Sequence, residues 1–595
     1  MTPSYRGPAG VFLLFLAFLT SILPAQEGLL PSSVYPDDSD AAESMLRSAS
    51  AFIRDGQWQE AADMYQKIIA EYGDRAVRIP DNVRTDYKFQ GQTRRWYNQR
   101  DYVIGQMAAL PPVAREAFAR AGEVQAGVLW NRVISPETAA SQKRADLLRL
   151  ATEFYLSRFG YQAIERLGDM AFDDGEFKQA VAFYRQLVRL PDEPPSTNGT
   201  LQLPAVHPGD ESRQALVTAK LILASHAAGA FTEAKATEVL KAFAAKWPQA
   251  EGVFAGRSGP LAVSLLKAIT EDRIFKKPLD DANWPTFAGN FERNRIVADP
   301  IDIGARQWGV KIEPVLPPRT MIPTRGRFGG FGGFAGRGGF NNNPQMGRQS
   351  NPILAYHPVI VGEMVIYCTE SRLVAYNLNE AARPDGTVGP SWWQNIDKLG
   401  SNRGQNSFFI SGSPRMTLSA NGERLFARLG ESGNSMAFGN QFNSSNAIIA
   451  AFDLRNKGQV VWRVAGSKIP LKQPDGAMAP EFGSIEGSPV ADADRVYLVL
   501  TLPGVQTSTY VVALSAATGA VEWTRYLFDI PNPFDMQAAA QGAVPGHAHH
   551  LLTMADGNLY YQSDSGGVAS IEARTGRLRW VTSYPKRDPN ATSLS

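Results

Sequence analysis

Apolar residues in the first half of the chain recur at intervals of three and four, which is the spacing of amphipathic helices. Two such helices flank a turn at Asp55-Gly56, and a second pair flanks a turn at Gly175. In each pair, alanine near the start of the second helix lets the two helices approach closely. The pattern predicts paired helices over residues 41–275, after a short linker at 26–40.

Beyond Tyr356 the apolar spacing changes to the two-residue alternation of short β-strands. Four units repeat an apolar strand, a turn and a second strand that carries tryptophan, and glycine supplies a positive φ in the clearest turns. These positions are Trp392, Trp462, Gly519, Trp523, Gly576 and Trp580. The last three tryptophans are about 60 residues apart, which suits a four-stranded sheet with its loops. We predict about four propeller blades over residues 356–595.

A segment of different composition, residues 276–355, joins the two regions. It begins with the lead-in Trp284-Pro285-Thr286-Phe287 and contains a run of glycine, phenylalanine and arginine at 325–348. Ordering so many glycines costs more conformational entropy than their packing returns, so we expect a flexible insertion. Within it, Arg337-Gly338-Gly339-Phe340 also has the composition of RNA-binding segments, whose arginines and aromatics stack on bases.

The N-terminus has the three parts of a cleavable export signal. Arg6 is the positive start, residues 11–23 form an apolar run too short to span a bilayer comfortably, and Ala25 is the small residue before the cleavage point. An uncleaved membrane anchor is the alternative. We expect a signal peptide at 1–25, and therefore a mature protein in the periplasm, elsewhere in the cell envelope or outside the cell, with no membrane span.

Charge and cysteine content narrow the range of partners. The chain has 60 basic and 58 acidic residues and a formal net charge of +2, which gives no electrostatic reason to bind nucleic acid. An exported protein also seldom meets RNA. We expect protein partners or client polypeptides and no nucleic acid. Cys368 is the single cysteine, so an internal disulfide is ruled out, and no cysteine follows the signal to carry a lipid anchor.

The helix pairs resemble tetratricopeptide repeats. A turn glycine, a small residue and an aromatic residue occupy matching places in the two best copies: Gly56, Ala61, Tyr65, Gly175, Ala180 and Tyr184. A weaker copy lies at 216–247. A generic helical bundle, in which these alanines and aromatics only fill a core, is the alternative. The resemblance implies concave surfaces that bind peptides or proteins.

The β-units and the lead-in together resemble the pyrroloquinoline-quinone (PQQ) dehydrogenase-like propellers over about residues 284–585. The whole layout is similar to that of bacterial exported tetratricopeptide–propeller proteins, and the blades are similar to the propeller subunit of the outer-membrane β-barrel assembly machinery. Members of this superfamily usually close a ring of seven or eight blades, so the resemblance implies an incomplete propeller. We expect a truncated ring. A homodimer that completes one ring and a four-bladed closure are the alternatives.

Few residues suggest metal binding or catalysis. His547 and His549 would point to one face of an extended strand and could share a transition metal, but no carboxylate or cysteine nearby completes a ligand set, which favours a polar blade edge. The quinone-dependent dehydrogenases of the resembled superfamily use an aspartate base, a calcium ion and often two adjacent cysteines. The single Cys368 leaves no such cysteine pair. We assign no catalytic residue and expect no bound cofactor.

Functions of different classes are compatible with these features. The first is a periplasmic or cell-envelope scaffold for protein–protein interaction, in envelope or outer-membrane protein assembly. The second is an oxidoreductase that depends on PQQ and calcium, and the third is a degenerate, truncated propeller fragment. Two repeat modules, balanced charge and the absence of a recognisable catalytic set favour the scaffold.

Overall fold

The computed structural model describes most of the helical region and four β-sheets. The described residues are 29–30, 34–78, 94–193, 211–271, 283–296, 309–310, 356–368, 372–396, 416–429, 447–479, 483–502, 506–531, 550–563, 566–584 and 586–587. The predicted signal peptide at 1–25, the glycine-rich insertion at 325–348, His547 and His549 lie outside these residues.

The described residues form ten helices between residues 40 and 270. In chain order, α1 to α10 are Asp40–Arg54, Trp58–Tyr72, Gln99–Ala108, Pro112–Ile134, Ala140–Glu153, Arg158–Asp173, Phe177–Tyr184, Glu211–Ala227, Glu233–Lys246 and Leu261–Thr270. Helices α1 and α2, α4 and α5, and α6 and α7 pack together as hairpins. One apolar core runs through the whole array, from Ala49 to Leu265.

The six repeat positions that the sequence singled out lie at the turns and in the core of two helix pairs. Both turn glycines have positive φ, +72° and +77°, both alanines are fully buried, and both tyrosines are 2% exposed. They are Gly56, Ala61 and Tyr65 in the first pair and Gly175, Ala180 and Tyr184 in the second. The Tyr65 ring packs on Phe118, and the Tyr184 ring packs on Gly168 of the preceding helix.

The strands are numbered β1 to β24 in chain order. The first six are Leu29–Leu30, Tyr35–Pro36, Ala76–Arg78, Arg94–Asn98, Glu251–Phe254 and Arg257–Pro260. Strands β7 to β15 are Tyr356–His357, Val359–Val361, Met364–Cys368, Arg372–Asn377, Trp392–Asn395, Met416–Asn421, Arg424–Leu429, Ile448–Asp453 and Gln459–Ala465. Strands β16 to β24 are Ser484–Ala491, Arg495–Leu502, Gln506–Ser515, Val521–Pro531, His550–Ala555, Asn558–Ser563, Gly567–Glu572, Leu578–Ser583 and Lys586–Arg587.

Four sheets of four to six strands form the blades, so the predicted combination of helical repeats and a partial propeller is confirmed. Their strand orders are β8-β9-β10-β11 in blade I, β7-β12-β13-β14-β15 in blade II, β16-β17-β18-β19-β2 in blade III and β20-β21-β22-β23-β4-β3 in blade IV. Neighbouring strands are antiparallel except β7 and β12. The innermost strands β12, β16 and β20 contact one another in turn.

Tryptophans join each of the first three blades to the next. Each ring packs on a glycine of the following blade: Trp392 on Gly458, Trp462 on Gly519, and Trp523 on Gly576. The Nε1–H of Trp462 donates to the Ala516 carbonyl at 3.0 Å, and that of Trp523 donates to the Ala573 carbonyl at 3.1 Å. Tryptophan and glycine therefore recur at a fixed spacing in the sequence because the same contact is repeated between successive blades.

Strands from the N-terminal part of the chain complete two blades at their outer edges. Strand β2 pairs with β19 of blade III, and β4 pairs with β23 of blade IV. Trp580 of β23 lies opposite Tyr97, and the Arg95 guanidinium stands 5.9 Å from the Trp580 ring. The predicted helical region thus contains two strands, β3 and β4, that belong to a blade. Strand β3 has only three residues, and β4 places two arginines before Trp96 and Tyr97, so neither shows the two-residue alternation by which a strand is predicted.

The lead-in segment 283–296 runs along the inner edges of the blades. Trp284 forms a bridge with Ile360 of blade I, and Thr286 forms one with Ser419 of blade II. Further along, the Arg293 Nε–H donates to the Leu552 carbonyl of blade IV at 2.8 Å. The segment therefore connects the innermost strands of three blades.

Substitution of Gly519 tests the tryptophan contact. A Cβ at Gly519 would lie 2.7 Å from the Trp462 ring, and the residue has φ +74°. Gly519→Ala should lower the free energy of unfolding by about 2–4 kcal/mol, because overpacking adds to the cost of the left-handed backbone. The measurement is urea unfolding followed by tryptophan fluorescence.

Gly422→Ala is the matched control, since Gly422 has φ +57° and no heavy atom lies within 4 Å of the place that a Cβ would occupy. It should cost about 1 kcal/mol, from the backbone alone. Equal losses in the two variants would contradict an energetic role for the Trp462 contact.

Candidate binding groove

A cavity of about 700 Å³ opens where helices α6, α7, α8 and α10 meet the β5–β6 hairpin. We call it the groove. Its apolar wall includes Phe172, Leu223, Phe254 and Ala268, and Val253 on the hairpin is 70% exposed. This size lies within the range of sites that take small molecules or the side chains of a peptide.

The polar wall of the groove belongs to an ordered network of charges that extends behind it to Glu165 and Arg213. The Lys220 ammonium of α8 donates to both carboxylate oxygens of Asp169, at 2.7 and 2.8 Å, and to Glu165 at 2.8 Å. Arg213 donates to the other oxygen of Glu165 at 2.6 Å. The Tyr184 hydroxyl donates to Asp169 at 2.7 Å. Each charge in this wall is thus neutralised by an opposite charge, and helices α6, α7 and α8 are held together.

Tyr184 has two roles in this wall. Its ring packs so closely on Gly168 of α6 that a Cβ there would lie 2.5 Å from the ring. Burial, together with the nearby Asp169 carboxylate, raises the pKa of Tyr184 far above its ordinary value. The hydroxyl therefore stays protonated and keeps donating to Asp169. Tyr184, a repeat position recognised in the sequence, therefore also lines the groove.

The rim of the groove carries one unbalanced negative charge. Arg257 of the hairpin pairs with Glu271 at the end of α10. Asp173, at the end of α6, is exposed, and no basic group in the described part of the chain pairs with it. A ligand that carries a positive charge near Asp173 would neutralise this carboxylate.

Ion pairs also fasten the helical array to blade IV. Arg577 donates to Asp101 of α3 at 2.9 Å, and Arg579 lies 3.3 Å from the same carboxylate. Arg574 donates to Glu176, in the turn between α6 and α7, at 2.7 Å. The helices that form the groove are therefore also held by the last turn of blade IV.

The sequence contained a signal for these contacts that pattern reasoning missed. Blade IV has arginine at 574, 577 and 579, where the corresponding unit of blade III has Ala517, Ala520 and Glu522. Three arginines gained at otherwise matching positions indicate an added charged contact. The acidic residues that pair with these arginines are spread between Asp101 and Glu176 in the sequence. Only the fold shows that they lie next to blade IV.

Two observations on the described residues concern metal ligands and the single thiol. Among these residues, no group of three or more His, Cys, Asp or Glu side chains is placed to hold a metal ion. Burial raises the pKa of the Cys368 thiol to about 12, which keeps it protonated and unreactive. The expectation that no cofactor binds stays a prediction, as does the assignment of His547 and His549.

Two family models match parts of the chain. Residues 445–595 match the family described as "Outer membrane protein assembly factor BamB", and residues 43–74 match the tetratricopeptide repeat. The predicted pairing of these repeat types is confirmed. No curated protein matches the chain.

Several solved structures are similar to this chain at low identity. BamB from Moraxella catarrhalis is 20% identical, with a TM-score of 0.20, over 37% of this chain and 49% of that chain. A europium-containing methanol dehydrogenase is 14% identical, with a TM-score of 0.25, over 39% and 42%. Quinohemoprotein alcohol dehydrogenase ADHIIG from Pseudomonas putida HK5 is 12% identical, with a TM-score of 0.28, over 51% and 40%. The matches span less than half the length of each of these three solved chains.

Across the described residues, every helix is too short or too polar to cross a membrane.

Removal of the Lys220 ammonium tests the charge network. Lys220→Met leaves Glu165, whose side chain is 4% exposed, with one cation fewer, and it leaves Asp169 without its ion pair. We expect the free energy of unfolding to fall by about 1–2 kcal/mol, because the buried Glu165 keeps only Arg213 as its cation and the partly exposed Asp169 loses its ion pair. Chemical denaturation measures the change.

Arg120→Met is the control, since it removes an exposed pair with Glu116 one helical turn away. Its cost should stay below about 0.5 kcal/mol. If Lys220→Met is as mild as Arg120→Met, the network does not hold the wall together.

Proposed function

We propose that this protein is an interaction scaffold of the bacterial cell envelope and that its groove holds a polypeptide segment of a partner. The observation that carries the proposal is a cavity of about 700 Å³ whose walls are partly apolar and partly a neutralised charge network. An apolar pocket with a few fixed polar groups suits recognition. Stacked helix pairs form concave binding surfaces of this kind.

The envelope location is supported by two independent features. The first 25 residues have the pattern of an export signal, and residues 445–595 match a family described as an outer membrane protein assembly factor. We therefore infer that the partner is itself an envelope protein or a client on its way through the envelope.

The junction with blade IV supports a scaffold in which both repeat regions act together. Arg574 holds the turn that links α6 and α7, and these helices carry Asp169 and Tyr184 of the groove. A segment bound in the groove would therefore lie at a fixed place relative to the blades. The blades offer a second surface for another part of the same partner, or for another protein.

Filling the groove tests the proposed function. Peptides selected from a displayed library of random twelve-residue sequences on the mature protein serve as probes. Ala268→Trp places a large ring in the apolar wall, so it should weaken binding of the selected peptides at least tenfold, about 1.4 kcal/mol. Isothermal titration calorimetry measures the affinity.

Ala245→Trp is the matched control, because Ala245 is an exposed alanine of helix α9 outside the groove. It should bind the peptides as the unchanged protein does. A library that yields no binder, or equal affinities for both variants, would contradict a peptide-binding groove.

A further inference from the structure

The hairpin at the mouth of the groove has a tight, well-defined turn. Strands β5 and β6 pair through Phe254 with Arg257 and through Gly252 with Gly259. Two residues join the strands, Ala255-Gly256, and both have positive φ, +49° and +73°. This is the geometry of a two-residue type I′ turn, which fixes the register of the hairpin.

That register determines which backbone groups remain available. The pair that flanks a two-residue turn, Phe254 and Arg257, is hydrogen-bonded, and hydrogen-bonded pairs alternate along an antiparallel ladder. The N–H and C=O groups of Glu251 and Val253 therefore point away from β6, along the outer edge of β5. In the part of the chain that the structure describes, no other backbone group bonds to either residue.

The two edges of the hairpin are unequal. On β6, the residues in the corresponding outward positions are Ser258 and Pro260, and proline has no N–H to donate. On β5, both outward residues retain a donor and an acceptor. Strand edges that natural proteins protect often carry proline or charge. The edge of β5 carries one charge, on Glu251 at the start of the strand, and an apolar residue, Val253, which is 70% exposed beside the turn.

The open edge adjoins the groove. Val253 and Phe254 of β5 line the groove together with Phe172 and Leu223 from the helices. β5 packs against both α8 and α10, and β6 packs against α10. Gly252 lies against Leu261 of α10, which fixes the hairpin on that helix. A strand added to β5 would therefore run along the groove, with alternate side chains directed into it.

We propose that the partner segment binds in an extended conformation, as a third strand on the edge of β5. This deepens the proposed function and rests on it. The segment places an apolar side chain against Phe172 and Leu223 and a lysine or arginine near Asp173, whose charge no described residue balances. A two-stranded hairpin is only marginally stable, and a third strand stabilises it.

The probe is an acetylated and amidated nine-residue peptide of alternating valine and threonine, with a central phenylalanine and a lysine at each end. Two further versions carry N-methyl groups on one or the other alternate set of amides. A strand pairs through one set only. We therefore expect one methylated peptide to lose binding at least tenfold and the other to keep its affinity in fluorescence anisotropy.

Two matched proline variants test which edge of the hairpin pairs with the peptide. Val253→Pro removes an outward N–H from β5 without removing a bond to β6, and Ser258→Pro does the same on the opposite edge. We expect at least a tenfold loss of peptide affinity in Val253→Pro and less than a twofold change in Ser258→Pro. Because both variants strain the same hairpin, their difference reports the edge that is used.

The remaining outcomes separate this proposal from the proposed function. If Ala268→Trp abolishes binding while Val253→Pro leaves it unchanged, the groove binds peptides but strand pairing is wrong. Loss of binding with both methylated peptides indicates a helical occupant and also overturns strand pairing. No binding of any peptide to the unchanged protein counts against both proposals.

Discussion

The outer strand of a β-sheet exposes unpaired N–H and C=O groups, and the architecture of this protein depends on how blade IV satisfies them. Strand β4 pairs with β23, so that Trp96 lies opposite Val581 and enters the apolar core between blades III and IV. Because β4 leads directly into helix α3, this pairing also attaches the helical array. Burial of Trp96 stabilises the junction by roughly 2–3 kcal/mol. The Arg577–Asp101 pair adds orientation more than stability, since desolvation offsets much of its attraction.

The attachment explains why the groove lies where it does. Helices α6 and α7 provide Asp169 and Tyr184, and the turn between them is held by Arg574 of blade IV. The groove is therefore fastened on one side by its internal charge network and on the other by the blade. The β5–β6 hairpin closes the remaining side and packs on helices α8 and α10. In such an arrangement, the occupant meets rigid helices on one wall and an adaptable strand edge on the other.

Local patterns in the sequence predicted the elements that repeat, and failed for those that occur once. The tryptophans and turn glycines of the blades recur at a fixed spacing because each pair forms one contact between neighbouring blades, so Trp462 and Gly519 were visible in advance. Strand β4 pairs with residues nearly 500 positions away and has no apolar alternation, so no local pattern indicated it. The groove is likewise assembled from residues between 169 and 271 on four helices and a hairpin. Of its wall, only Tyr184 belonged to a recognised repeat position.

Hydrogen–deuterium exchange of strand β4 is the most direct test of the central claim, that the helical array and the blades form one body through this strand. β4 lies between β23 and β3, and its residues Trp96 and Tyr97 have register partners on both strands. We predict that their amides exchange as slowly as those of Asn558–Ser563 in the middle of blade IV. Exchange of Trp96 and Tyr97 within seconds, while Asn558–Ser563 remains protected, would show that the strand is not part of the blade and that the helical array is free of it.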